Sequence, residues 1–179
     1  MKRLYLLRHA QALNAQGGTD KDRALSPQGI EDAKALGRAL TKRGYAPALI
    51  YCSNARRTAQ TYEYMAGAMT LKAPAQMLPG LYDATRGTLL KEIQDAPDEQ
   101  DSLMLIGHNP AMYELAAMLS SSGDERALSL LSQGYAPASL SVIDAPIERW
   151  SYIDPDRCVL KDMMVTIDYN APERPTRWM

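Results

Sequence analysis

The sequence predicts an α/β fold: a largely parallel sheet covered by helices on both faces. Three features point to it. Continuous apolar runs such as LYLL, ALIYC and SLMLIG recur along the chain. Such runs mark strands buried on both sides, whereas a strand with one wet face alternates apolar with polar. Between them lie helical patterns long enough to serve as crossovers, which parallel pairing requires. No repeat, low-complexity block or linker divides the 179 residues, so one domain over residues 1–179 is expected.

Leu4 to Leu7 reads as the first buried strand, followed by the polar, Gly-containing loop NAQGGTDKDRAL. Ser26-Pro27 is a helix start, because Ser caps and Pro fits the first helical position. Ile30, Ala33, Leu36, Ala39 and Leu40 make an apolar stripe at helical spacing, and Gly44 ends it. ALIYCS is the second strand. Ser53 or Asn54 is expected to cap the next helix, which runs to about Met69. AQML, near Gln76, is a short strand, and Thr85 to about Gln94 a weaker helix. SLMLIG is a further buried strand, and Asn109-Pro110 starts a helix carrying Tyr113, Leu115, Ala116 and Leu119. ASLSVIDA and RWSYID alternate better than the earlier strands, and read as a hairpin near one sheet edge. Beyond about Pro155 the pattern is harder to place; one more short extended piece and an exposed Pro-rich tail are expected.

Composition narrows the function. The net charge of -1 argues against a general nucleic-acid or membrane-surface binder. Cys52 and Cys158 form neither a metal spacing nor a disulfide framework, and read as reduced, buried thiols. No apolar run approaches the roughly 18 residues of a membrane span, and the start MKRLYLL leads straight into a strand, so a cytoplasmic protein is expected. The methionines and Trp150 read as core filling.

Both histidines of the chain, His9 and His108, end apolar runs. In open parallel sheets, ligands sit outside the carboxyl ends of the strands. Arg8-His9, the segment after Ser53, and His108 all fall there. An arginine at the edge of a buried strand is costly unless it meets an anion. Arg56 and Arg57 stand in the first turn of a helix, against its dipole, and an anion would offset that too. Of the two, Arg56 is expected to face water. The anion that best fits planar guanidinium forks and helix N-termini is a phosphoryl group. Zinc would compete for two histidines, but no third ligand has suitable spacing.

LYLLRHAQA, SNARRTAQT and LIGHNPAM, in that order and spacing, resemble the histidine phosphatase superfamily. With DRALSPQG and the small size, the likeness is greatest to SixA-type phosphohistidine phosphatases. It runs from about residue 3 to about residue 145. The resemblance implies a three-layer α/β/α sandwich with a mostly parallel central sheet and an antiparallel edge strand. It implies that His9 is the nucleophile that transiently carries the phosphoryl group, and that Arg8, Arg57 and His108 hold it. It implies no cofactor and no metal. Elementary chemistry agrees: the arginines should hold His9 neutral and nucleophilic, and preplaced cations suit a phosphoryl transition state.

One departure concerns the proton donor. Many members carry a glutamate after the third strand as general acid. Here LPGLYDATRGTLLKEI has no matching one, and Glu92 belongs to the expected helix. Asp83 is the nearest candidate for a substrate-side carboxyl. An alkoxide leaves badly without a proton, but a phosphohistidine ring protonated on its distal nitrogen leaves neutral. The expected activity is therefore dephosphorylation of phosphohistidine on a signalling protein by a monomeric enzyme. A phosphomonoesterase for small metabolites is the alternative, and a non-catalytic phosphate-binding module a third reading. Asp20, Lys21, Asp22 and Arg23 read most simply as a solvated charge run, with Asp22 or Arg23 as candidates to pin the loop. Around Tyr135 and Ser139 the backbone could approach the phosphate, but a plain loop is the expected reading.

Overall fold

The computed structural model describes residues 1–170. Six strands form one sheet: β1 (Lys2–Arg8), β2 (Leu49–Ser53), β3 (Ala75–Leu78), β4 (Ser102–Gly107), β5 (Leu140–Ala145) and β6 (Val159–Met164). Their order is β3-β2-β4-β1-β5-β6. The pairs β3–β2, β2–β4 and β4–β1 are parallel, whereas β5 runs antiparallel to both β1 and β6. The helices are α1 (Pro27–Arg43), α2 (Arg56–Gly67), α3 (Arg86–Gln94), α4 (Ala111–Met118), α5 (Glu125–Ser132) and the short α6 (Thr166–Asn170).

Strand alternation divides the core in two. Leu4, Leu6, Leu103 and Leu105 point to one face, where α3, α4 and α5 cover them. Tyr5, Leu7, Met104 and Ile106 point to the other, beneath Leu36 and Leu40 of α1 and Met65 of α2. A strand with both side-chain sets buried needs a helical layer on each side, which produces the α/β/α sandwich. Cys52 and Cys158 are free and buried, and Trp150 is fully buried. No helix among the described residues is long and apolar enough to cross a membrane.

The first helix forms as its sequence dictates. Ser26 caps it by accepting from the Gly29 amide, Pro27 occupies the first turn, and Gly44 closes it in the left-handed conformation at φ 71°. Thr85 likewise caps α3 by accepting from the Thr88 amide. Elsewhere the structure corrects the sequence reading. Helix α2 has Ala55 at its N-cap and no side-chain cap, since Ser53 is committed to the site described below. The RWSYID segment is no strand. Trp150 to Tyr152 form a 3-10 turn, held because Asp98 accepts from the Trp150 amide and the Gln100 carbonyl accepts from its indole N–H. The antiparallel partner of β5 is β6, the extended piece expected near the C-terminus, and it forms the sheet edge. Helix α5, which has no counterpart in the sequence reading, is capped by Asp124 and packs on β6. The expected Pro-rich tail lies largely outside the described residues.

Candidate active site

The site sits where the parallel strands end. Arg8 pairs with Gly107 in register, and the amide of His9 donates to the Gly107 carbonyl at 3.0 Å. The residues after these two, His9 on one strand and His108 on the next, therefore emerge side by side. Their ring centroids lie 5.3 Å apart, with planes tilted by 53°. The end of β2 brings Ser53, whose hydroxyl is 2.8 Å from His108 Nε2. Ser53 was legible as a cap and instead orients a histidine.

Each side chain is fixed by neighbours. His9 is buried and its Nδ1 is 2.7 Å from the Ala10 carbonyl. A carbonyl can only accept, so Nδ1 carries the proton and Nε2 of the neutral ring holds a free lone pair. Arg8 donates through Nη1 to the Tyr135 carbonyl at 2.8 Å. The same carbonyl accepts from Asn109 Nδ2 at 2.9 Å. Tyr135 is itself pinned: its hydroxyl donates to the Leu6 carbonyl at 2.6 Å and accepts from the Ser141 amide at 3.0 Å. Ala138 adopts φ 63°, and its amide reaches the carbonyls of Arg8 and His9. The segment around Tyr135 is thus a frame for the site rather than a plain loop.

The two arginines of SNARRTAQT part company as expected: Arg56 is exposed and Arg57 is buried. Arg57 Nη1 donates to the Asp20 carbonyl at 2.8 Å and Nη2 to Asp20 Oδ2 at 3.1 Å. Asp20 is no member of a solvated charge run; it closes onto the site from the β1–α1 loop. The Tyr82 hydroxyl donates to the same Oδ2 at 2.5 Å, and the Tyr82 ring stands edge-on to His108 with centroids 5.5 Å apart. Asp83 is exposed, on the wall of a cleft of about 240 Å³ that Tyr82, His108 and Asn109 also line.

Electrostatics follow burial. His9 is pushed down to about 4, first by desolvation and then by Arg57 and Arg8, with the Ala10 carbonyl opposing. The arginines therefore contribute, but removal from water is the larger cause. His108 is pushed down to about 3 by burial, His9 and Arg57. Both rings are neutral at neutral pH. The buried donors Arg8 Nε and Arg57 Nε, with His108 Nδ1, have no partner among the described residues. A site with cations, neutral imidazoles and unspent donors suits an oxyanion. No group of three or more His, Cys, Asp or Glu among the described residues could hold a metal ion.

A family model, the Histidine phosphatase superfamily (branch 1), matches residues 4–104. The chain belongs to the histidine phosphatase superfamily. It is a phosphatase of that superfamily, and its likeness is to the SixA type. A provisionally named phosphohistidine phosphatase SixA from Agrobacterium tumefaciens is 32% identical, with TM-score 0.75 over 92% of this chain and 97% of that one. A provisionally named SixA from Nakamurella multipartitia is 25% identical, with TM-score 0.76 over 92% of this chain and 95% of that one. An uncharacterized protein of Mycobacterium tuberculosis is 31% identical over 151 residues, 83% of this chain and 92% of its own length.

Proposed function

We propose that the chain hydrolyses phosphohistidine on a protein through a phosphoryl group carried transiently by His9. The observation that carries the reading is the pairing of two neutral imidazoles, one buried and one half-buried, with two arginines where the parallel strands end. His9 Nε2 has the lone pair for attack, because Nδ1 is bound to the Ala10 carbonyl. In the first step Nε2 bonds to phosphorus and the substrate P–N bond breaks. Its electron pair returns to the leaving imidazole, which departs neutral if its distal nitrogen is protonated. In the second step water takes the phosphoryl group from His9, giving inorganic phosphate and the free ring. Arg8 and Arg57 stabilise the equatorial oxygens throughout, joined by His108 through Nδ1–H when Ser53 donates to its Nε2.

The substrate class follows from what can donate a proton. Asp20, the carboxylate closest to Arg57, is held far below its usual range by the Tyr82 hydroxyl, Arg23 and Arg57. It stays ionised and cannot serve as an acid. A phosphoramidate needs no acid at this position; an alkyl ester does. The likeness to proteins named SixA phosphohistidine phosphatases supports the same substrate.

The test is hydrolysis of a phosphohistidine peptide and of p-nitrophenyl phosphate by wild type and His9→Ala. Wild type is expected to cleave the peptide and to trap an acid-labile phosphate on His9, and the variant to do neither. Equal rates for the two proteins would remove the reading.

A further inference from the structure

Asp20 touches the site from an unexpected direction. It lies on the β1–α1 loop, 37 residues from Arg57 and 62 from Tyr82 along the chain. Its backbone carbonyl and its Oδ2 accept from the two terminal nitrogens of Arg57, at 2.8 and 3.1 Å. Its Oδ1 accepts from Arg23 Nη1 at 3.1 Å, and Arg23 Nε donates in turn to the Leu13 carbonyl at 2.8 Å. The turn that carries it is tied locally, since Asp22 Oδ2 accepts from both the amide and the hydroxyl of Thr19.

A guanidinium has two usable edges: the terminal one formed by Nη1 and Nη2, and the side one that includes Nε. Asp20 occupies the terminal edge of Arg57. Nε is buried and has no partner among the described residues. We propose that Asp20 is a positioning residue, fixing Arg57 so that its Nε edge is presented to the phosphoryl group. The assignment rests on the reading of Arg57 as a phosphoryl ligand. Arginine carries a long, rotatable stem, and ordering it before the substrate arrives removes that loss from the reaction itself. A plug that substrate must displace would also place a carboxylate on Arg57. Here, however, half of the contact is a backbone carbonyl, which a side-chain rotation alone does not remove.

The experiment is a double-mutant cycle on p-nitrophenyl phosphate with wild type, Asp20→Ala, Arg57→Ala and the double variant, each checked by thermal melting. Asp20→Ala is expected to lower kcat about tenfold, less than the roughly hundredfold or more that loss of a preorganised donor costs, because Arg57 itself remains, with KM changed less than about threefold. The double variant is expected to match Arg57→Ala within about twofold, because Asp20 acts through that side chain. Losses that multiply, or an Asp20→Ala protein as active as wild type or more so, would overturn the assignment. Should Asp20→Ala fail to fold, the same cycle with Asp20→Asn, which keeps the shape of the side chain, is read by the same criteria. An Arg57→Ala protein with full activity refutes instead the reading of Arg57. An impaired Arg57→Ala with multiplying losses refutes Asp20 alone.

Discussion

His9 and His108 face each other across 5.3 Å, yet their ring nitrogens are engaged by different groups: a backbone carbonyl holds Nδ1 of the first and a serine hydroxyl holds Nε2 of the second. The two rings are therefore complementary. One exposes a lone pair on Nε2; the other, if Ser53 donates, exposes an N–H on Nδ1. Burial keeps both uncharged.

The pH dependence follows. With His9 pushed down to about 4 and His108 to about 3, both rings stay neutral well below the ordinary histidine range. On p-nitrophenyl phosphate, whose leaving group carries no imidazole, and with the substrate's own ionisation divided out, the acid limb of kcat/KM is expected to stay flat through pH 6.5 and to fall near pH 4. Stability moves in the same direction. A folded-state pKa below the unfolded value of about 6.5 means that the unfolded chain binds more protons beneath that value. The stability these rings contribute is thus present above about pH 6.5 and is lost as pH falls toward their folded-state values. Urea melts between pH 7 and pH 4.5 read this loss, and a kcat/KM that halves near pH 6.5 would contradict the neutral-ring account.

Ser53 should act through His108. Replacing it by Ala leaves Nε2 without its 2.8 Å partner and frees the ring to change tautomer. The loss of one such bond is worth about 1.4 kcal/mol, or about tenfold in kcat. Nitrogen chemical shifts of His108 are expected to show a single tautomer in wild type and a mixture in Ser53→Ala. An unchanged tautomer with an unchanged rate would leave Ser53 as mere packing.

The strand-end residues were readable because two signals coincide at Arg8, His9 and His108: an apolar run that stops, and polar chemistry immediately after it. Arg56 was expected to face water before any resemblance was drawn, but the phosphoryl role of Arg57 came only through the resemblance. Asp20 and Tyr82 were not readable. Their contact spans 62 residues, and neither the charged loop nor LYDA carries a periodicity that records it. The hairpin failed for an opposite reason. Trp150 and Tyr152 have high strand propensity, but tertiary bonds to Asp98 and Gln100 fix Trp150 in a 3-10 turn. The true edge strand is broken in pattern by Lys161 and Asp162, which suit a strand with one exposed side. Helix α5 did carry a signal, Asp124 followed by Ala127, Leu128 and Leu131, but its eight residues make it short for periodicity to register.

A substitution at Asp83 tests the choice between substrate classes. It stands on the wall of the cleft beside His108, where a leaving group other than imidazole would need a proton. If Asp83 supplies that proton, Asp83→Asn is expected to slow hydrolysis of an alkyl phosphate at least about a hundredfold, the low end for loss of a general acid. Hydrolysis of a phosphohistidine peptide should change less than about twofold, since that leaving ring brings its own proton. Equal losses on both substrates would make Asp83 a general binding residue.

Gly29 shows how the first helix is fitted to the loop that leaves His9. A Cβ placed there would come within 2.1 Å of the Gln11 carbonyl, which already accepts from the Ser26 amide at 2.9 Å. Gly29→Ala gains helix propensity worth about 1 kcal/mol. It must also push the helix N-terminus away from the segment Ala10-Gln11, and overpacking of this kind costs about 1–3 kcal/mol. The net expectation is destabilisation together with reduced kcat, because Ala10 supplies the carbonyl that sets the His9 tautomer. Gly67, exposed at the end of α2, has nothing within 4 Å of its would-be Cβ. Gly67→Ala should therefore raise the melting temperature slightly and leave the rate alone. Opposite signs from the two glycines would show that close approach at Gln11, rather than backbone freedom, is what requires glycine at position 29.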